Sequence, residues 1–169
     1  MEPNDQERIE RGRRANEFGR NSEAYSLLLP LAEAGNAEAQ NIVGSLMMDC
    51  RHRFDTIEQW SLAPSLDAQV VQSDRDHAAQ LLRAASEQGF GPASFNLASL
   101  LVMGHGNGTR EERLAEAAGL YAKAYDQGFT AFGWLMSRDG PGQAFLDVME
   151  RYGAGSYCPC PWSPPATET

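Results

Sequence analysis

Few residues of this chain have types and spacings that invite chemistry, and Cys158-Pro159-Cys160 and the pair Cys50/His52 come first. Two thiols one residue apart supply one edge of a zinc site or a strained redox pair. A structural zinc takes about four ligands, however, and no second cysteine pair is present. Cys50 and His52 would make a nucleophile and its base. Side chains two apart on a helix do not face each other, so only a loop would bring them together. His52, His77 and His105 are the only histidines and lie in three different segments, without the H-x-x-x-H or H-E-x-x-H spacing of a helical metal site. Gly104-His105-Gly106-Asn107-Gly108 has the glycine content of a phosphate loop. It lacks the Gly-Lys-Ser/Thr ending and is followed closely by only one basic residue, Arg110, so it reads as a link between helices. The carboxylates include no isolated pair in an apolar setting. No catalytic residue, metal or cofactor is therefore expected.

The bulk composition narrows the classes further. The chain has 169 residues, 42% of them hydrophobic and 22% charged, with a net charge of -9. That length is enough for one domain with a real core. An acidic chain lacks the basic footprint that phosphate neutralisation requires, so neither nucleic acid nor an anionic membrane is an expected partner. The one basic cluster, Arg8, Arg11, Arg13 and Arg14, is interleaved with Glu7, Glu10 and Glu17 and reads as a solvated helix face. The opening residues carry no apolar signal region, and no stretch reaches the roughly 18 apolar residues of a membrane span. A soluble, cytoplasmic protein is expected. Three cysteines make no disulfide framework.

The elements that would position these residues come from an internal repeat. Residues 31–47 align with 85–101 at an offset of 54, which sets Gly35 on Gly89, Ala39 on Ala93, Val43 on Leu97 and Gly44 on Ala98. A third copy follows at an offset of 39, with Gly128 beneath Gly89. Ala78, Leu81, Leu82 and Ala85 fall at i, i+3, i+4 and i+7, one face of a helix. The glycines stand where a helix C-cap needs positive φ, and Ala39 and Ala93 are small enough for a close helix approach. Each copy is helix, glycine, helix. Ser73 and Thr109 read as N-caps of the next two first helices, with Asp76 and Glu112 three residues on. Asp55 and Glu58 read as the capping start of a short segment carrying Ile57 and Trp60 inside an insertion, 48–73. Pro30 should kink its helix. Copy three has Phe132 in place of the small residue and meets Gly140, Pro141 and Gly142, as expected of a degenerate final repeat. "QAFLDVMERY" fits a terminal capping helix with Phe145, Val148, Met149 and Tyr152 inward, and residues 153–169 form a Pro/Gly-rich tail.

The pattern A-x6-A-x3-G-x3-A-x3-L-G resembles that of the Sel-one-like repeats, helix-turn-helix units related to the tetratricopeptide repeats. Copy two carries it through Ala78, Ala85, Gly89, Ala93, Leu97 and Ala98, with Ala98 in place of the usual Gly; copy one keeps Gly44 but has Leu31 at the Ala85 position. Gly104-His105-Gly106 resembles the family's G-x-G link, and Val71 and Asp74 its V-x-x-D element. Coverage is about residues 15–137. The resemblance implies an all-α domain over residues 1–152, a short α/α superhelical solenoid of about three repeats whose inner helices line a concave surface, and a protein-binding role. By helical phase, Glu23, His77, Gln80, Arg83, Glu116 and Lys123 should line that surface, with Phe54 and Trp60 at its rim; Trp60 would equally well pack over the first two repeats. The expected function is a non-enzymatic interaction module, in its sharpest form a bacterial immunity or adaptor protein that binds and blocks a basic toxin or enzyme. The alternative is a metal- or redox-dependent sensor, or a hydrolytic enzyme, using the Cys-x-Cys tail.

Overall fold

A computed structural model of the chain describes residues 4–56, 59 and 66–129. Among them are six α-helices and no strand: α1 (Asp5–Glu17), α2 (Asn21–Glu33), α3 (Ala37–Met48), α4 (Ala68–Glu87), α5 (Gly91–Val102) and α6 (Arg110–Asp126), with a single 3-10 turn, Arg51–Arg53, after α3. Each helix packs on the next, and beyond these neighbours the closest approaches are α1 to α3 and α3 to α5. The arrangement is all-α and repeat-like. Helices α2 and α3 are the two halves of copy one, α4 and α5 those of copy two, and α6 the first half of copy three. Phe132, the "QAFLDVMERY" helix, Cys158 and Cys160 lie outside the described residues, as do Ile57, Glu58 and Trp60.

The repeated glycines turn the chain as their spacing predicts. Gly35, Gly89 and Gly128 have φ of +94°, +88° and +83°. At Gly35 the amide donates to the Ala32 carbonyl and the next amide, of Asn36, to Leu31, both at 3.0 Å. This Schellman pair satisfies carbonyls that the end of α2 would otherwise leave open. Gly89 and Gly128 repeat it, with Phe90 bonded to Ala85 at 3.1 Å and Phe129 to Ala124 at 3.0 Å.

Packing follows the small residues. Ala39, Ala93, Val43 and Leu97 have no exposed surface. A Cβ on Gly44 would stand 2.8 Å from Leu82 Cγ, so the missing methyl is what lets α3 and α4 approach. The core is two adjoining clusters. One is built from α1, α2 and α3 with Ala78 and Leu81 of α4 and Leu100 of α5, and the other from Leu82 and Ala85 of α4 with the rest of the buried face of α5 and with α6. Leu28, Leu46, Leu82, Leu97 and Leu100 are fully buried, and each such leucine contributes about 1.5–3 kcal/mol relative to exposure.

Polar groups run along the glycine edge. Gln40 Nε2 donates to the Ala32 carbonyl at 3.1 Å and Gln88 Nε2 to Gln40 Oε1 at 2.9 Å. One repeat on, Gln127 Nε2 donates to the Ser86 carbonyl at 3.2 Å while Ser94 Oγ donates to Gln127 Oε1 at 2.7 Å. Gln40 and the Ser86 and Ser94 groups are thus satisfied in part from the following repeat.

Three expectations change. Helix α4 begins at Ala68, not after Ser73. The cap is Asp67, whose carboxylate accepts from the amides of Gln69 at 2.8 Å and Val70 at 3.4 Å, and Ser73 lies inside the helix. The Asp55 carboxylate is taken by Ser22 and so serves a helix far from its own segment. Helix α1 is more than a solvated face: Ile9, Gly12 and Ala15 are buried against the stack, with Gly12 beneath Leu28 as Gly44 is beneath Leu82. Its other side carries Glu7, Arg11 and Arg14, so a polar surface closes that end of the core. Thr109 does cap α6, in a full capping box with Glu112. Helix α2 runs through Pro30, which is exposed near its C-terminal end.

Candidate functional site

The residues expected on a binding face sit on the first helices of the pairs. Glu23, in the first turn of α2, pairs with Arg20 at 2.9 Å. His77, Gln80 and Arg83 follow one another at i, i+3 and i+6 on α4, with His77 half-buried and the other two exposed. Arg83 reaches across to Glu116 of α6, Nη2 to Oε1 at 2.6 Å. Lys123, half-buried, lies in the last turn of α6. The structure therefore brings Arg83 and Glu116 together and leaves Glu23 engaged locally at the start of α2. Phe54 is half-buried, and its carbonyl accepts from Asn21 Nδ2 at 2.9 Å.

A second cluster forms where α3 ends. Cys50 has φ +57°, the one non-glycine residue with positive φ among the described residues. At the offset of 54 it occupies the place of Gly104, which has φ +96°. The chain then makes its 3-10 turn and delivers His52 and Arg53 to α4. Arg53 grips Asp74 with both arms, Nε to Oδ2 at 2.8 Å and Nη2 to Oδ1 at 2.9 Å. Such a fork is stronger than a single neutral hydrogen bond. His52 Nε2 is 3.6 Å from Asp74 Oδ2, and the two side chains are only 7% and 9% exposed. The His52 ring lies 4.8 Å from that of Tyr25. Its Nδ1 is buried and has no hydrogen bond of good geometry. Three residues on from His52, Asp55 accepts from the Ser22 amide at 2.8 Å and from the Ser22 hydroxyl. Residues 50–56 thus form a strap pinned to the starts of α2 and α4.

The electrostatics of this cluster oppose nucleophilic chemistry. Burial, and after it the Asp74 carboxylate, pushes the Cys50 thiol above its ordinary value, whereas a cysteine nucleophile needs the thiolate. Burial also pushes the His52 imidazole down, against the pull of Asp74. Cys50 and His52 do lie in a turn and not on one helix, but burial there pushes the thiol away from the thiolate form. Among the described residues no three His, Cys, Asp or Glu side chains are grouped to hold a metal ion. The glycine loop is likewise occupied by its own neighbour, since Arg113 Nη1 donates to the Gly108 carbonyl at 2.6 Å.

The Arg53–Asp74 pair spans 21 residues of chain and the Ser22–Asp55 contact 33, distances at which residue spacing carries no signal. Asp74 was visible only as part of the V-x-x-D element. One clue was available for Cys50: its register with Gly104 marks it as the left-handed residue ending α3. No family model, no curated protein and no solved structure matches the chain.

Proposed function

We propose that this protein is a non-enzymatic interaction module that grips a partner protein with the face formed by its first helices. The observation that carries this reading is the Arg83–Glu116 pair, which ties α4 to α6 on the exposed side while Leu82, Ala85, Leu114, Ala117 and Tyr121 of the two helices are buried in the core. That side offers a mixed polar surface of Gln80, Arg83, Glu116 and Lys123 on two helices linked there by the Arg83–Glu116 pair. The reading also rests on the resemblance of the repeat to Sel-one-like units, carried by Gly35, Gly89 and Gly128 with Ala39 and Ala93. The narrower form is a bacterial immunity or adaptor protein acting in the cytoplasm on a basic toxin or enzyme, for which the net charge of -9 would speed encounter.

Affinity capture from native cells with identification by mass spectrometry tests the reading. A basic partner whose association slows as salt rises supports it. Capture that is unchanged in the Arg83→Glu and Glu116→Lys variants would remove the first-helix face from the account. Stoichiometric zinc in the purified protein, lost when Cys158 and Cys160 are changed to serine, would favour the sensor or enzyme reading instead.

A further inference from the structure

The strap of residues 50–56 is held to the stack by one buried carboxylate that two basic side chains face. Asp74 is already matched by Arg53, whose guanidinium uses both carboxylate oxygens. In this state the cluster is neutral overall. The His52 ring sits between Asp74 of α4 at 3.6 Å and the ring of Tyr25 of α2 at 4.8 Å. From its own segment it is flanked by Arg51 and Arg53 and by the Cys50 thiol. Helix α3 turns the Leu46 carbonyl towards it and no charged side chain. Arg75 of α4 lies next to the cluster, with its Nε on the Met48 carbonyl at 3.3 Å. The Tyr25 hydroxyl is neutral, since burial pushes it above its ordinary value. The charges that act on His52 are thus the Arg53 guanidinium and the Asp74 carboxylate it already engages, while Arg51 has a carboxylate of its own in Asp49 at 3.6 Å.

We propose that the strap is an acid-opened latch: a proton taken up by His52 places a second cation at Asp74 in competition with Arg53, and the strap leaves the starts of α2 and α4 while the helical stack stays folded. The geometry makes the closed state intolerant of that proton. A ring that is 7% exposed would carry a charge beside a guanidinium, with a single carboxylate for both, and an unmatched buried charge is costly. Release moves His52 and Arg53 into water, where both are hydrated. The buried Nδ1 has no hydrogen bond of good geometry, and the pull of the Leu46 carbonyl towards the charged ring is outweighed by burial. The downward push of burial on the imidazole has the matching sign, because a histidine kept neutral in the closed state opens it on protonation. Opening also breaks the Asn21 and Ser22 contacts of Phe54 and Asp55, since all of them hang on the same short segment. It uncovers the Cys50 thiol, which is 4% exposed when the strap is closed.

That thiol reports the opening. In the full chain with Cys158→Ser and Cys160→Ser, the rate of modification of Cys50 by an aromatic disulfide reagent is measured against pH and divided by the rate for a free thiol peptide at the same pH. The normalised rate is expected to rise several-fold, with a ceiling of about tenfold for one proton, between roughly pH 7.5 and 5.5, with the helical circular dichroism unchanged. His52→Gln, which cannot take up the proton, should flatten the profile. A flat profile in the parent, a rise that survives His52→Gln, or a rise that appears only together with loss of helix would each overturn the latch. If His52→Gln does not fold, amide exchange in the unsubstituted chain decides: acid must release the Ser22 amide, which is bonded to Asp55, before that of Leu97 in the core, and release of both together refutes the proposal.

Discussion

Single side chains here act at positions their neighbours in sequence do not reveal. Asp55 is the clearest case. The residue before α2, Arg20, makes no side-chain capping bond, and the open first turn is served by the Asp55 carboxylate from the strap. Losing a cap of this kind costs about 1 kcal/mol, so Asp55→Ala should lower the urea midpoint by a corresponding amount and expose the start of α2 to amide exchange. The pH dependence has a definite sign. Ser22 bonding holds the Asp55 carboxyl below its ordinary value of 3.8, so the stability it contributes is complete above that value. It is lost as the pH falls through the lower folded value, and Asp55→Asn should remove this part of the acid-unfolding curve.

At the scale of helices, three glycines make three different predictions for the same change to alanine. Gly119 lies in α6 with nothing within 4 Å of a built Cβ and no positive φ. There alanine should stabilise the protein by about 0.5–1 kcal/mol by restricting the unfolded chain and favouring helix. Gly89 is equally open but has φ +88°, so alanine there should cost about 1–2 kcal/mol. Gly44 has ordinary helical geometry, yet its Cβ would meet Leu82, and overpacking should cost about 1–3 kcal/mol. Thermal or denaturant unfolding separates all three. Ala93→Leu belongs with Gly44, because Ala93 has no exposed surface. Gly44, Gly89 and Ala93 were legible in the sequence because a helix turn and a close helix contact each demand a residue type at a fixed interval. The packing role of α1 was hidden, since Ile9, Gly12 and Ala15 are three inward residues among eight charged ones in that helix. The strap cluster was hidden for a different reason: its partners are joined by tertiary folding alone.

Across the molecule, the two core clusters meet at α4, which gives Ala78 and Leu81 to one and Leu82 and Ala85 to the other. Leu82 is fully buried at that boundary, packed over Gly44. Leu82→Ala should therefore cost about 2–5 kcal/mol and reduce amide protection on both sides of α4, whereas a change confined to one side would mean that the repeats unfold separately. By contrast, breaking the Arg83–Glu116 pair should shift stability by no more than about 1 kcal/mol, because exposed ion pairs are worth little; its effect should be read in partner binding. The strap joins this layout with a direction in time. The cap of α2 lies 33 residues downstream of Ser22 in its first turn, so a chain growing from its N-terminus has all of α2 synthesised before Asp55 exists. The contacts that close the first turn of α2 therefore need the chain through Asp55, and the first repeat is completed from its far end.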